Sequence, residues 1–192
     1  MKKQILFLSA FLILALVACK TEGKGGQEAS SPSATTETQE HKGQAAVEDN
    51  VSEANALQVA RSLEDFSTLV AAIEAAGVED AVVNAGPLTI FAPLNSAFAK
   101  LPEGTVETLV QPENKSKLAF ILTNHVAPAN YPIRQLKKEA SKGRKLYMAS
   151  GKYLEVEDKD GDIFVGGTKV IKTVSVSNGW IHVIDDVLVP AE

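Results

Sequence analysis

The chain has 192 residues, 45% of them hydrophobic, with a formal net charge of −5 and one cysteine. That length holds one domain with additional segments, and the acidic balance excludes the basic stripe that nucleic-acid phosphates reward and electrostatic docking to anionic lipid. A single cysteine excludes an internal disulfide and Cys-based structural zinc sites, so the folded part must stand on its hydrophobic core, which about 140 residues can supply.

Residues 1–18 read as a secretory signal. Lys2 and Lys3 give a positive start, Ile5 to Val17 is an almost unbroken apolar run, and small residues precede a cut site. The run is shorter than the roughly 20 apolar residues of a membrane span. Leu16-Val17-Ala18-Cys19 resembles the lipobox of bacterial lipoproteins. The resemblance implies cleavage before Cys19, lipidation of that residue and tethering to a membrane by acyl chains. Loss of Lys2 and Lys3 would take the net charge from −5 to −7, and acylation of Cys19 would leave no free thiol. Lys20 stands where enteric lipoproteins kept at the inner membrane often carry Asp. By that analogy the expected location is the bacterial envelope, with the outer membrane favoured.

Residues 19–52 are the lipidated Cys and a linker. The stretch has no aromatic residue, almost no aliphatic one larger than Ala, and many Gly, Ser, Thr and Glu. It cannot bury enough apolar surface to offset its ordering entropy. As a random coil, thirty such residues span on the order of 30 Å.

Residues 53–192 form the expected folded domain. Leu63, Phe66, Leu69, Val70 and Ile73 recur at helical spacing, with Ser62 or Ser67-Thr68 as caps and Gly77 as the stop. Ala81-Val82-Val83 is a short helix or extended piece, and Asn84 to Pro87 is a turn. Leu88 to Ala92 is a buried strand stopped by Pro93, after which Asn95 or Ser96 caps a helix carrying Phe98. Thr105 can cap a helix with Val106, Leu109 and Val110 on one face, and Lys115 to Asn124 forms another that buries Leu118, Ile121 and Leu122. Ala127 to Pro132 is not helical. Beyond Gly143 the pattern turns to strands: Leu146 to Met148 and Tyr153 to Val156 flank a Ser150-Gly151 turn, Ile163 to Val165 follow an Asp-Gly turn, and Val170 to Val176 lead to Asn178-Gly179. That pair predicts the tight turn into Trp180–Asp185. Helices first and strands late give an α+β class.

Few residues offer chemistry. Asp158, Asp160 and Asp162 suggest a calcium loop, but its sixth and twelfth positions are Ile163 and Lys169 instead of Gly and Glu. His41 lies in the linker. His125 and His182, with Asp185, are the material for a metal site or an acid–base pair. A regular strand directs His182 and Asp185 to opposite faces, and none of Ser96, Ser150 or Ser175 sits in a Gly-x-Ser-x-Gly elbow. No phosphate loop is present, Gly166-Gly167 having the wrong spacing. The chain is therefore expected to be non-catalytic, without cofactor or metal.

Three segments together resemble a fasciclin (FAS1) domain: Thr89 to Phe98, Leu122 to Val126, and Asn178 to Pro190. The resemblance covers about Asn55 to Pro190. It implies a seven-stranded β-wedge or sandwich with several α-helices packed around it, and structural roles for Phe91, Pro93, Phe98, Asn178, Gly179, His182, Asp185 and Pro190. It also implies adhesion, meaning binding of a protein or polysaccharide at the cell surface, without shared catalytic residues. Asn124 stands where the family often has Tyr, Leu94 where it often has Thr. Thr173 and Val174 stand where animal members can carry an Asp-Ile pair used for integrin binding; the acidic group is missing here, so integrin binding is not carried over. Asn124, His125 and Tyr131 lie in a proline-stiffened segment. They are candidate partner contacts, or they fix that loop onto the sheet. The alternative to adhesion is an inward-facing structural or stress-related envelope lipoprotein without an external ligand.

Overall fold

The computed structural model describes residues 54–84 and 86–190; the signal, Cys19 and the linker lie outside them. A sheet of seven strands runs in the order β2-β1-β7-β6-β5-β4-β3. Its strands are β1 (Leu88–Pro93), β2 (Val126–Ala127), β3 (Lys145–Tyr147), β4 (Tyr153–Lys159), β5 (Asp162–Val165), β6 (Thr168–Val176) and β7 (Gly179–Ile184). The helices are α1 (Ala56–Arg61), α2 (Ser67–Ala76), α3 (Glu79–Val83), α4 (Asn95–Phe98), α5 (Thr105–Leu109), α6 (Lys115–Thr123) and α7 (Ile133–Ser141). The class is α+β, seven strands in one sheet with the helices packed on it.

At the centre β1 and β7 pair in parallel from Leu88 opposite Gly179 to Pro93 opposite Ile184. All the other strand pairings are antiparallel. A parallel pair requires cover on both faces, and β1 is buried at every position. Alternate side chains serve two cores. Leu88, Ile90, Ala92, Ile181 and Val183 meet α1, α2, α3 and α6 through Leu57, Phe66, Leu69, Ile73, Val82, Leu118 and Leu122. Phe91 and Ile184 face the other way, onto Leu136 of α7 and onto Leu146, Met148, Val156, Ile163 and Val165 of the β3–β5 region. Each fully buried side chain of this size contributes about 1.5–3 kcal/mol.

The expected helix through Leu63 is split. Asn55 and Gln58 form a capping box on α1, and Ser62 Oγ then donates to Val59 O. Leu63 is exposed and extended, and a 3-10 turn over Glu64–Phe66 leads into α2. Asn95 does not cap its own helix: α4 begins at Asn95 with Leu94 as its uncapped N-cap. Its Oδ1 accepts Thr68 N–H at 3.0 Å in the first turn of α2, while Nδ2 donates to Glu64 O and Ser67 Oγ. Asn95, two residues past β1, thus caps a helix through a bond spanning 27 residues, and locks α2 to the end of β1. Thr105 is likewise the first residue of α5, after Gly104 at the N-cap. Helix α7, unassigned from sequence, packs through Ile133, Leu136 and Ala140.

The β6–β7 turn also corrects the sequence reading. Val176 already pairs with Gly179, so Ser177-Asn178 makes the turn and Gly179 opens β7. Gly179 has φ +142, and a Cβ there would lie 1.8 Å from Leu88 O. Only glycine permits that approach, which closes the parallel pair. Asn178 is buried beside it. Its Oδ1 accepts Ala56 N–H at 3.0 Å, its Nδ2 donates to Val82 O at 2.9 Å, and its own carbonyl accepts Leu88 N–H at 2.8 Å.

Asn95→Ala is expected to lower stability by about 1 kcal/mol, as loss of a helix cap does, with Ser96→Ala near zero; urea unfolding of the two variants checks this. Gly179→Ala is expected to abolish cooperative folding, read as loss of the thermal transition in circular dichroism.

Candidate functional site

Two buried histidines join the segments that carry the family-like motifs. His182 on β7 is 0% exposed and stacks on Phe91 with ring centroids 5.5 Å apart. Its Nε2 lies 2.7 Å from Tyr131 O and its Nδ1 2.9 Å from Thr173 Oγ1. A carbonyl only accepts, so Nε2 carries the proton and Nδ1 accepts the threonine hydroxyl. Thr89 continues the chain of bonds, its Oγ1 donating to Ala129 O at 2.7 Å and accepting Tyr131 N–H at 2.9 Å. The Ala129–Tyr131 loop is therefore tied to β1, β7 and β6. Thr173, one of the two positions compared with the animal Asp-Ile pair, supports His182.

His125 follows α6 and is 3% exposed. Its Nδ1–H donates to Ile121 O at 2.8 Å, and its Nε2 accepts Leu188 N–H at 2.9 Å. Asn124, 1% exposed, donates from Nδ2 to Leu188 O at 3.1 Å and accepts the Ser150 hydroxyl at Oδ1. One residue of the C-terminal segment thus has its N–H and its C=O held by adjacent side chains. Of the three candidate contacts, Asn124 and His125 present no free group to solvent, and they do what a loop-fixing residue does. Tyr131 is half-buried against the second core, and burial pushes its phenol up, with Glu139 adding to the effect.

Both rings are held neutral. Burial lowers the His125 pKa to about 4 against the opposing bond to Ile121 O, and burial lowers that of His182 as well. At His125 the geometry requires this, because a protonated ring would aim a second N–H at Leu188 N–H; at His182 the Thr173 hydroxyl can accept as well as donate, so burial is what disfavours the charged ring there. Asp185 lies beyond the end of β7, where Oδ1 accepts Lys169 N–H at 3.2 Å and its carbonyl accepts Lys100 Nζ. Neither histidine has a carboxylate partner. Among the described residues no group of three or more His, Cys, Asp or Glu could hold a metal.

Of the other family-motif residues, Phe91 and Pro93 are fully buried, Phe98 packs against the first core, and Pro190 borders an open cleft. That cleft, about 510 Å³, is lined by Lys145, Lys152, Tyr153, Glu155, Glu157, Gly166-Gly167 and the Val189-Pro190 segment. Beside it Tyr147 and Tyr153 stand opposite each other across β3 and β4. Their rings are 5.4 Å apart at 59°, with 48% and 63% of each residue exposed. Lys145 faces Glu155 in the same register at 2.8 Å and, by its hydrogen bond first and its charge second, holds the Glu155 carboxyl below its ordinary range. Further along, Lys159 Nζ of β4 sits 4.8 Å over the Phe164 ring of β5. Exposed aromatics next to hydrogen-bonding charges are the material of recognition surfaces. Sequence reasoning did not single out this pair. The signal was present: with Leu146, Met148, Leu154 and Val156 directed inward, the alternation sends Tyr147, Tyr153 and Glu155 outward.

The family model of the fasciclin domain matches residues 64–190. Protein sll1483 of Synechocystis sp. is 46% identical over 135 residues, covering 70% of this chain and 72% of that one. Protein sll1735 of the same organism is 39% identical over 134 residues, covering 70% and 96%. A solved FAS1 domain pair from the insect cell adhesion molecule Fasciclin I matches in fold at a TM-score of 0.63 and 22% identity, over 71% of this chain; the chain spans 51% of that structure.

Stability is expected to fall as the solution is acidified from pH 7.5 to 5. A histidine titrates near 6.5 in the unfolded chain but near 4 at His125 in the fold, so the unfolded state takes up protons first. The stabilisation from His125 is complete above pH 6.5, is reduced by about 2 kcal/mol at pH 5, and is gone once pH falls through 4. Urea midpoints across this range should show it, with a smaller slope in His125→Gln.

Proposed function

The chain belongs to the fasciclin domain family, and on that premise we propose that it is a lipid-anchored, non-catalytic binding module of the bacterial envelope. Its partner is a macromolecule, protein or polysaccharide, engaged by the β3–β4 face and the cleft beside Tyr153. The observation that carries this reading is the exposed Tyr147–Tyr153 pair next to the paired charges of Lys145 and Glu155. Aromatic rings supply contact area at low entropic cost, and the charges supply oriented hydrogen bonds.

Three further observations support it. The histidines and Asn124 are consumed in holding the fold, which leaves no nucleophile, base or metal cluster assembled among the described residues. The lipobox-like Leu16-Val17-Ala18-Cys19 and the polar stretch after it suit a tethered domain held away from a membrane surface. The likeness in fold to a domain pair of a cell adhesion molecule is consistent with a binding role.

The double variant Tyr147→Ala, Tyr153→Ala is expected to weaken binding to the recognised envelope polymer or matrix protein by about tenfold or more, the loss typical of central interface aromatics. Its thermal midpoint should stay within a few degrees of the parent. A panel of envelope polysaccharides and matrix proteins, measured by surface plasmon resonance, tests this. Unchanged binding would refute the assignment of this face. Absence of any partner, together with protection from protease on intact cells, would favour an inward-facing structural lipoprotein. In parallel, Cys19→Ala is expected to move the protein from the membrane fraction to the soluble fraction; retention in the membrane would sink the anchor.

A further inference from the structure

A second cavity lies between α2, α4, α5, α6 and the segment after β7, and shares Val189 with the cleft beside Tyr153. Its volume is about 160 Å³, and its walls are nearly all apolar, Phe98, Leu101, Val106, Leu109 and Ile121 among them. Helix α5 contributes no fully buried side chain. Its Leu109, with Val110 after it, packs only in part against the first core, and the Thr108 carbonyl accepts Asn114 Nδ2 at 2.8 Å. Its apolar side chains therefore line a space that they do not fill.

The single charged residue on the lining is Lys117, in the first turn of α6. Like several other surface lysines it has no ion pair or hydrogen bond among the described residues, and it is the one that borders this cavity. Asn114 places no side-chain cap on that turn, so the positive end of the helix is not offset there. His125 also borders the cavity, but both its ring nitrogens are engaged and it adds no charge.

We propose that this cavity binds a small apolar molecule bearing one negative charge, of the size of an aromatic carboxylate. The size follows from volume: an apolar cavity of about 150 Å³ accepts a benzene ring. The charge follows from Lys117, whose ammonium stands at the solvent-exposed rim of the apolar walls with no partner among the described residues. Pockets of this make-up, mostly apolar with one or two oriented polar groups, are the usual form of small-molecule sites. This site is independent of the macromolecular face, and either can stand without the other.

The test uses the full-length chain with benzoate and benzyl alcohol as probes, followed by methyl NMR and calorimetry. Saturable benzoate binding is expected, with shifts at Val106, Leu109 and Ile121 and weaker binding of benzyl alcohol. Lys117→Gln should reduce benzoate affinity about tenfold and leave benzyl alcohol unchanged. Val106→Phe, which fills the space, should abolish both while the thermal midpoint is kept; Leu109→Phe is a second filling variant should the first not fold. No shift with either probe, equal affinity for the two, or benzoate binding indifferent to Lys117→Gln or to a folded filling variant would each overturn the proposal.

Discussion

The parallel pairing of β1 with β7 is the constraint on which the rest of the structure depends. It joins residues about ninety positions apart, and its closure at one end requires Gly179 to lie against Leu88 O. A parallel pair buried on both faces cannot exist alone. One face is covered by the early helices and α6, the other by α7 and the inward residues of β3 to β5. Asn178 adds the start of α1 and the end of α3 to the same junction through two buried hydrogen bonds. The early helices are thereby positioned by the last strand of the chain.

Placing polar groups in such a core is costly unless each finds a partner. The structure meets this by using histidine in its neutral form as a two-ended connector. His182 spans a loop carbonyl and a threonine on the neighbouring strand, and His125 spans its own helix and the C-terminal segment. A neutral imidazole donates at one nitrogen and accepts at the other, which no other side chain offers at that distance with a ring's rigidity. The residues that look most like catalytic material have both ring nitrogens engaged inside the fold, and groups without such ties lie on surfaces the core leaves uncovered.

Two such surfaces differ in kind. The β3–β4 face presents exposed rings and paired charges on regular strands, which hold their geometry and suit a large partner. The cavity beside α5 is apolar with one unpaired cation at its rim, and its volume of about 160 Å³ suits a small molecule. Surface ion pairs such as Lys145–Glu155 add little to stability, so their contribution is to orient side chains on the first face.

Sequence by itself determined the α+β class, the position of most elements, the buried face of α6 and the motif residues around Phe91 and His182, because local periodicity and turn chemistry act over a few residues. It also carried the outward alternation of Tyr147 and Tyr153. It did not show that Asn95 caps α2, that Gly179 opens a strand instead of completing a turn, or that Asn124 and His125 grip Leu188. Those are contacts between segments distant in the chain, and only the tertiary structure decides which backbone group stands opposite a given side chain. The cavity is of the same kind: its walls come from four helices, the end of β1 and the C-terminal segment, and a space between elements leaves no periodic mark on any one of them.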